Sequence, residues 1–362
     1  MDTPVHQPAQ IEVKPPVTSV GVLGWVRQNL FNGPLNTVLT ILVLFALVKI
    51  IPPLVGWALV HSVWTGTGDD CRAADGACWA VVTSNVRFIL FGFYPYDQQW
   101  RPLSCAVLIV VLFLYSSKPS RWGRGLAVAW GVGLVTMGVL MPGGVLGLEP
   151  VDPGLWSGIS LTLLLSLFGL TAAYPLGVLL ALGRQSKLPA IKVISVLYIE
   201  LIRGVPLISM LFMASVMFPL FLPEGITVNK ILRAQAAIIL FTAAYIAEVV
   251  RGGLQAIPRG QFEAAESLGL DYYQKMRLIV LPQALKIVIP PTVSILISAF
   301  KDTSLVVIIG LFDLLKTTQV TLSNPEWMGF SPEAFLFIAV LYFLGCFSMS
   351  NFSRRIEKAL AR

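Results

Sequence analysis

The chain has 362 residues, of which 56% are hydrophobic and 12% charged, and its formal net charge is +7. Soluble domains carry about twice that charged fraction, and here the apolar residues come in long blocks, which marks an integral membrane protein. The basic residues fall between those blocks rather than in one patch, so they exclude a nucleic-acid partner and are explained by topology against membrane lipid.

In chain order, residues 1–34 form a polar opening with Pro15 and Pro16 adjacent and no short apolar core before a small-residue cleavage site. The opening reads as a flexible cytoplasmic tail and not as a cleaved signal. A window of about 19 residues, the length that crosses ~30 Å of hydrocarbon, then finds eight apolar spans, at 37–60, 102–117, 126–146, 156–182, 205–222, 234–250, 287–315 and 334–350. The predicted fold is an all-α integral membrane protein with about eight transmembrane helices.

Basic residues resist translocation, and they follow every even-numbered span: Lys118, Arg121 and Arg124; Arg184, Lys187 and Lys192; Arg251, Arg259, Lys275, Arg277 and Lys286; and Arg354, Arg355, Lys358 and Arg362. The segments after the third and seventh spans carry Glu149 and Asp152, then Glu326 with the lone Lys316. This pattern places both termini in the cytoplasm.

The segment 61–101 is then a long external loop carrying Cys71 and Cys78. An oxidising compartment permits a disulfide there, and the spacing leaves open whether the pair closes. Cys105 and Cys346 fall inside spans and read as packing. His6 and His61 have no partner at ligand spacing, so no metal site is expected. No nucleophile, base or metal set emerges either, which argues against a membrane-embedded enzyme with catalytic residues of its own. "GLFDLLKT", residues 310–317, approaches a phosphate-binding loop, but Leu315 stands where the second glycine must let the backbone wrap phosphate. The segment also continues an apolar span. ATP binding by this chain is therefore not expected.

The most polar long stretch of the second half is "GQFEAAESLGLDYYQKMRLIVLP", residues 260–282. Gly252, Gly253, Pro258 and Gly260 are expected to stop the sixth helix. Residues 261–268 are strong helix formers, with Phe262, Ala265 and Leu268 or Gly269 on one face. Gly269 suits a left-handed turn, and Asp271 with Gln274 reads as the capping box of a second helix. In that helix Tyr273, Met276, Arg277 and Val280 share a side. Ala264 and Ala265 permit close backbone approach, and Glu263 and Glu266 can meet basic groups at a rim. On physical grounds alone, an ordinary solvated loop and a knuckle that docks on another protein both remain open.

This stretch resembles the loop signature of permease subunits of bacterial ATP-binding-cassette importers: Glu263-Ala264-Ala265, three residues, Gly269, nine residues, Ile279, one residue, then Leu281-Pro282. "YIELIRGVPL" (198–207), "AEVVRGGLQAIPRGQ" (247–261), "LPQALKIVIPP" (281–291) and "KDTSL" (301–305) are similar to the polar amino-acid group of these permeases. The similarity runs from about Trp156 to the C-terminus. "RFILFGFYPYDQQWRP" (87–102) resembles the longer permeases of general L-amino-acid importers of Gram-negative bacteria.

The resemblance implies a five-helix permease core at 151–362 with a cytoplasmic coupling loop at 251–283, preceded at 35–150 by three additional helices. It implies that Glu263, Ala264, Ala265 and Gly269, flanked by Arg259 and Gln261 and followed by Leu281 and Pro282, dock on a separate ATPase. The partners implied are an ATPase dimer that binds ATP and Mg, a periplasmic amino-acid-binding protein, and a second permease subunit, which the long N-terminus suggests is a non-identical homologue. The chain itself needs no cofactor. The expected function is ATP-driven, binding-protein-dependent import of L-amino acids across the bacterial inner membrane. The rival is a secondary transporter or channel driven by an ion gradient, which inverted repeats and several mid-span carboxylates would favour.

Within the spans, Lys301, Asp302, Thr303 and Ser304 interrupt an apolar run. Charges at that depth are costly unless they face a cavity or each other, so a helix broken at 301–304 is expected beside the translocation route. The other reading is a neutral Lys-Asp pair or a polar contact to the partner subunit. Glu200 with Arg203, and Glu248 with Arg251, stand three apart on helix faces and read as structural ion pairs that anchor their spans, or as gating groups.

Overall fold

The structure, a computed structural model, describes residues 21–360. The first twenty residues of the predicted tail, together with Ala361 and Arg362, lie outside the described residues. The chain divides into two compact units, Met1–Cys78 and Trp79–Arg362.

In the first unit, α1 (Gly21–Leu30) forms where a tail is expected. Helix α2 (Pro34–Val55) starts with proline at its first position, where a missing N–H costs nothing. It runs on through a π-turn at Gly56–Val60 as a 27-residue apolar rod. The helix continues past Pro52 and Pro53, and the Gly56 N–H reaches back to both of their carbonyls. Beyond it, α3 (Gly68–Ala73) is set by a capping box between Thr67 and Asp70. The Thr67 hydrogen bonds hold the Asp70 carboxyl below its ordinary range. The structure joins Cys71 to Cys78, with Cα atoms 5.4 Å apart. Gly76 beside this bridge is obligatory, since a Cβ there would lie 2.0 Å from the His61 carbonyl oxygen.

The second unit opens with α4 (Ala80–Phe91), inside the stretch predicted to be an external loop. The segment is therefore helical in part and not all loop: Ile89 is fully buried in a cluster with Leu314 and Ile338, and the Thr317 hydroxyl donates to the Ile89 carbonyl at 2.7 Å. A 12-residue helix is too short for a membrane-length window to register. There follow α5 (Trp100–Ser116), α6 (Arg124–Leu140), α7 (Gly158–Arg184), α8 (Pro189–Arg203) and α9 (Leu207–Phe212), the last prolonged by irregular turns to Phe221. Then come α10 (Lys230–Gln255), α11 (Arg259–Ser267), α12 (Tyr272–Lys275), α13 (Leu281–Asp302), α14 (Leu314–Leu322) and α15 (Ser331–Leu360).

Six helices among the described residues are long and apolar enough to cross a bilayer, and the pair Pro189–Arg203 plus Leu207–Phe221, bent by 103°, supplies a seventh. With the 17-residue α6, every apolar stretch in the sequence has its helix. The predicted fifth span starts earlier than expected, at Pro189, and bends at "GVP", where Pro206 denies Val205 the helical region.

The centre of the second unit is the α7–α10 pair. Gly177 of α7 faces Ile246 so closely that a Cβ would sit 2.6 Å from its Cγ2. Gly253 of α10 does the same to α13, where a Cβ would lie 2.3 Å from Val288 Cγ1. Small residues let helix backbones approach and so recover dispersion energy where no water is displaced. This corrects the reading of Gly252 and Gly253 as helix stops: α10 runs through both and ends at Gln255, just ahead of Pro258. We expect Gly253→Leu to cost about 1–3 kcal/mol of stability by overpacking, read as a lowered thermal midpoint in detergent. Gly252→Leu, which faces open space, should leave the midpoint unchanged or slightly raised; equal losses at both positions would refute the packing argument.

The predicted seventh span is also redrawn. Helix α13 starts at Leu281, carries Pro290 and Pro291 without breaking, and passes into a 3-10 turn at Thr303–Ile309. The α-helix ends at Asp302, inside the predicted 301–304 interruption, and the 3-10 turn that follows closes at Gly310, which has a left-handed φ of 70°. A new helix, α14, then begins under the cap of Asp313, whose carboxylate accepts from the Lys316 N–H at 3.0 Å. "GLFDLLKT" therefore ends one apolar run and starts another helix rather than continuing the span.

Candidate functional site

Three features of the second unit converge on its α10–α13 side. The first is the polar segment between those helices. Pro258 starts α11, and one edge of the helix turns inward: Ala265 is fully buried, and Phe262 packs on the apolar cluster that contains Met276, Val280 and Ala284. Glu263 and Ala264 face outward, and Leu268 is 76% exposed. Gly269, with φ 73°, ends the helix by a left-handed turn in which the Leu270 N–H returns to the Ala265 carbonyl. The Asp271–Gln274 capping box forms as the sequence predicts, with Gln274 N–H donating to the Asp271 carboxylate at 2.8 Å.

The second helix is only Tyr272–Lys275, after which Met276–Val280 widens to a π-turn. That extra residue per turn separates the predicted common side: Met276 and Val280 are buried, while Tyr273 and Arg277 point outward with the guanidinium 5.8 Å from the ring centre. A Lys275–Glu266 ion pair ties α12 to α11, and the Lys275 hydrogen bond holds the Glu266 carboxyl below its ordinary range. Gln283 donates to Gln261 at 3.1 Å across the base. The segment is thus a braced block and not a loose loop.

Its exposed surface carries Arg259, Gln261, Glu263, Ala264 and Gly269, with Pro282 at the foot of α13. Leu281 is half-buried in the chain's own core. Ala265 is corrected from docking residue to core residue, because the helix turns it away from solvent. Exposed Leu268, Tyr272, Tyr273 and Leu278 add apolar area that charge-based reading of the segment misses.

The second feature is a charge cluster. Glu248 of α10 receives Arg251 of its own helix at 2.8 Å, Arg184 from the end of α7 at 2.7 Å, and Arg203 from the end of α8 at 3.6 Å. Arg184 also reaches Glu200 of α8 at 2.9 Å. The expected Glu248–Arg251 pair is present. The expected Glu200–Arg203 pair is replaced by contacts from each to a neighbouring helix, since α7 and α10 offer opposite charges closer than the turn above. Arg184 is the member that pair-spacing along one helix could not supply.

The third feature is a cavity of about 360 Å³ lined by residues of α9, α10 and α13, within the size range of small-molecule sites, roughly 300–1,000 Å³. Its polar groups are Thr242 and Tyr245 from α10 and Ser294, Ser298 and Asp302 from α13. Of the predicted quartet 301–304, only Asp302 lines it. Lys301 is exposed, and the Thr303 and Ser304 hydroxyls donate to the carbonyls of Phe300 and Lys301. Asp302 makes no ion pair among the described residues, so the neutral Lys-Asp pair does not form. Ser294, Ser298 and Asp302 stand four apart, and this spacing was the signal in the sequence for a polar stripe on one helix face.

A cavity within a helical membrane bundle, beside a braced surface knuckle, suits a transport subunit driven from outside its own chain. The profile of the family described as binding-protein-dependent transport system inner membrane component matches residues 173–362. The inner membrane amino-acid ABC transporter permease protein YhdY of Escherichia coli (strain K12) is 48% identical over 342 residues, covering 92% of each chain. The chain belongs to this permease family. The glutamate/glutamine/aspartate/asparagine transport system permease protein BztC of Rhodobacter capsulatus is 40% identical, with 96% of this permease and 95% of the relative covered. A crystal structure of an amino acid ABC transporter with histidines is 30% identical, with a TM-score of 0.50, over 56% of this permease and 92% of that chain. The permease is accordingly a multi-pass inner-membrane transport subunit and not an enzyme, ATP hydrolysis belonging to a separate subunit. Family membership implies an ATPase and a substrate-binding protein as its partners.

Proposed function

We propose that the permease forms the pathway through which L-amino acids, delivered by a periplasmic binding protein, enter the cell. The observation that carries this reading is Asp302, a half-buried carboxylate with no ion pair among the described residues, set in a cavity beside hydroxyls at four-residue spacing. A carboxylate in a low-dielectric recess is costly unless a cation neutralises it, and the α-ammonium of an amino acid supplies one. Tyr245 and Ser298 provide the donors that the substrate carboxylate needs. Relatives whose names specify amino acids support the same cargo.

On this reading, the exposed face of α11 and the turn at Gly269 sit in a groove of an ATPase dimer that binds ATP with Mg. Both termini are cytoplasmic, as the Lys and Arg distribution suggests. A second, non-identical permease completes the pathway. Free energy enters because the ATPase binds two permease conformations with different affinity.

The test is reconstitution of the permease with the ATPase and binding protein that co-purify from native membranes. ATP inside the vesicles should drive amino-acid accumulation, and a sodium or proton gradient alone should not. Accumulation that follows the ion gradient without ATP would instead establish a secondary transporter.

A further inference from the structure

The Glu248 cluster lies along α10 between cavity-lining Tyr245 and the coupling segment that follows Gln255. Its contacts form a continuous line: the Arg203 guanidinium stands 5.6 Å from the ring centre of cavity-lining Tyr245, Arg203 and Arg251 meet Glu248, and Arg251 donates to Gln255 at 3.0 Å, the last residue of α10 before the coupling segment. Three helices are joined at this one carboxylate, and α8 ends there just before the 103° bend. The side chains are neither dry nor free: Glu248 is 16% exposed, Arg184 23%, Arg251 31% and Arg203 36%.

Partly hydrated pairs of this kind can exchange protein partners for water at small cost, whereas interdigitated apolar packing gives way in discrete steps. The charge count sharpens the point. Three arginines face two carboxylates, so removal of Glu248 leaves three like charges with only the half-exposed Glu200 among them. Repulsion then loosens α7 and α8 from α10, while the Arg184–Glu200 pair still joins α8 to α7.

We propose that Glu248 is the positioning residue of a charge latch that holds α7 and α8 against α10 in one transport conformation and releases them in the other. The proposal rests on the ATP-driven reading above. The latch restrains the coupling segment until substrate delivery and ATP act together, so that hydrolysis without the binding protein stays low.

The experiment measures ATP hydrolysis and amino-acid uptake by the complete transporter in vesicles, with and without the binding protein, at about 50 and 500 mM salt, on either side of the ionic strength at which exposed pairs are screened. Wild type should show low hydrolysis without the binding protein, rising several-fold at high salt. Glu248→Gln should start about fivefold higher at low salt, lose most of the salt response, and take up less substrate per ATP, a signature that simple loss of fold does not produce. Arg203→Gln, which leaves Arg184 and Arg251 on Glu248, should fall between the two.

A Glu248→Gln transporter with wild-type hydrolysis, salt response and uptake would overturn the latch. So would loss of assembled complex in Glu248→Gln together with wild-type behaviour in Arg203→Gln, which would make the cluster purely structural. A wild-type complex that hydrolyses no ATP would overturn the ATP-driven reading and the latch with it, an outcome distinct from failure of the variants alone.

Discussion

Replacing Ala264 by arginine abolishes ATP-driven uptake while leaving the permease folded; replacing Ala265 by leucine does the reverse, lowering the folded yield before any effect on docking. That is the expected result for two adjacent alanines, and it follows from which way α11 turns them. Ala264 faces outward beside Glu263 and the exposed Leu268, whereas Ala265 is fully buried, on the same helix whose Phe262 packs on the cluster holding Val280 and Ala284. A long cation on the outward face blocks close approach by a groove. A loss of 10-fold or more in ATPase capture is expected, about 1.4 kcal/mol or greater. Overpacking at Ala265 costs about 1–3 kcal/mol of stability. Capture of the ATPase on immobilised permease and thermal unfolding in detergent separate the two effects, and a common loss in both assays for both variants would refute the assignment.

Asp302→Asn is expected to raise the amino-acid concentration for half-maximal uptake at least tenfold. The change keeps shape and removes charge, so it withdraws the Asp302 carboxylate, the one carboxylate that lines the cavity among the described residues, from the substrate ammonium. Truncating one partner of a desolvated charge pair costs about 2–5 kcal/mol, and part of that is regained by hydration in an open recess. Lys301→Gln is the control. Its side chain lies outside the cavity lining, so uptake should stay close to that of wild type. A concentration dependence that Asp302→Asn leaves unmoved, with Lys301→Gln the damaging change, would shift the route to the other side of α13.

Much of this protein could be read in one dimension. Every apolar block became a helix, because a backbone in hydrocarbon must satisfy its own hydrogen bonds. The capping box at Asp271 and the turn at Gly269 depend on neighbours three or four residues away, and both appear as expected. The spacing of Glu263-Ala264-Ala265 and Gly269 carried the family, and with it the need for a separate ATPase.

What the tertiary structure alone decided are the choices between partners of equal local merit. Glu200 and Arg203 are well placed for each other on α8, yet Arg184 and Glu248 take them, since a helix three residues away competes with helices pressed alongside. Ala264 and Ala265 are chemically identical; only the tertiary structure leaves one exposed and buries the other. Gly253 looked like a helix stop until α13 came within reach of its missing Cβ. Local sequence sets which backbone hydrogen bonds can form, whereas burial and charge pairing depend on distances between segments far apart in the chain.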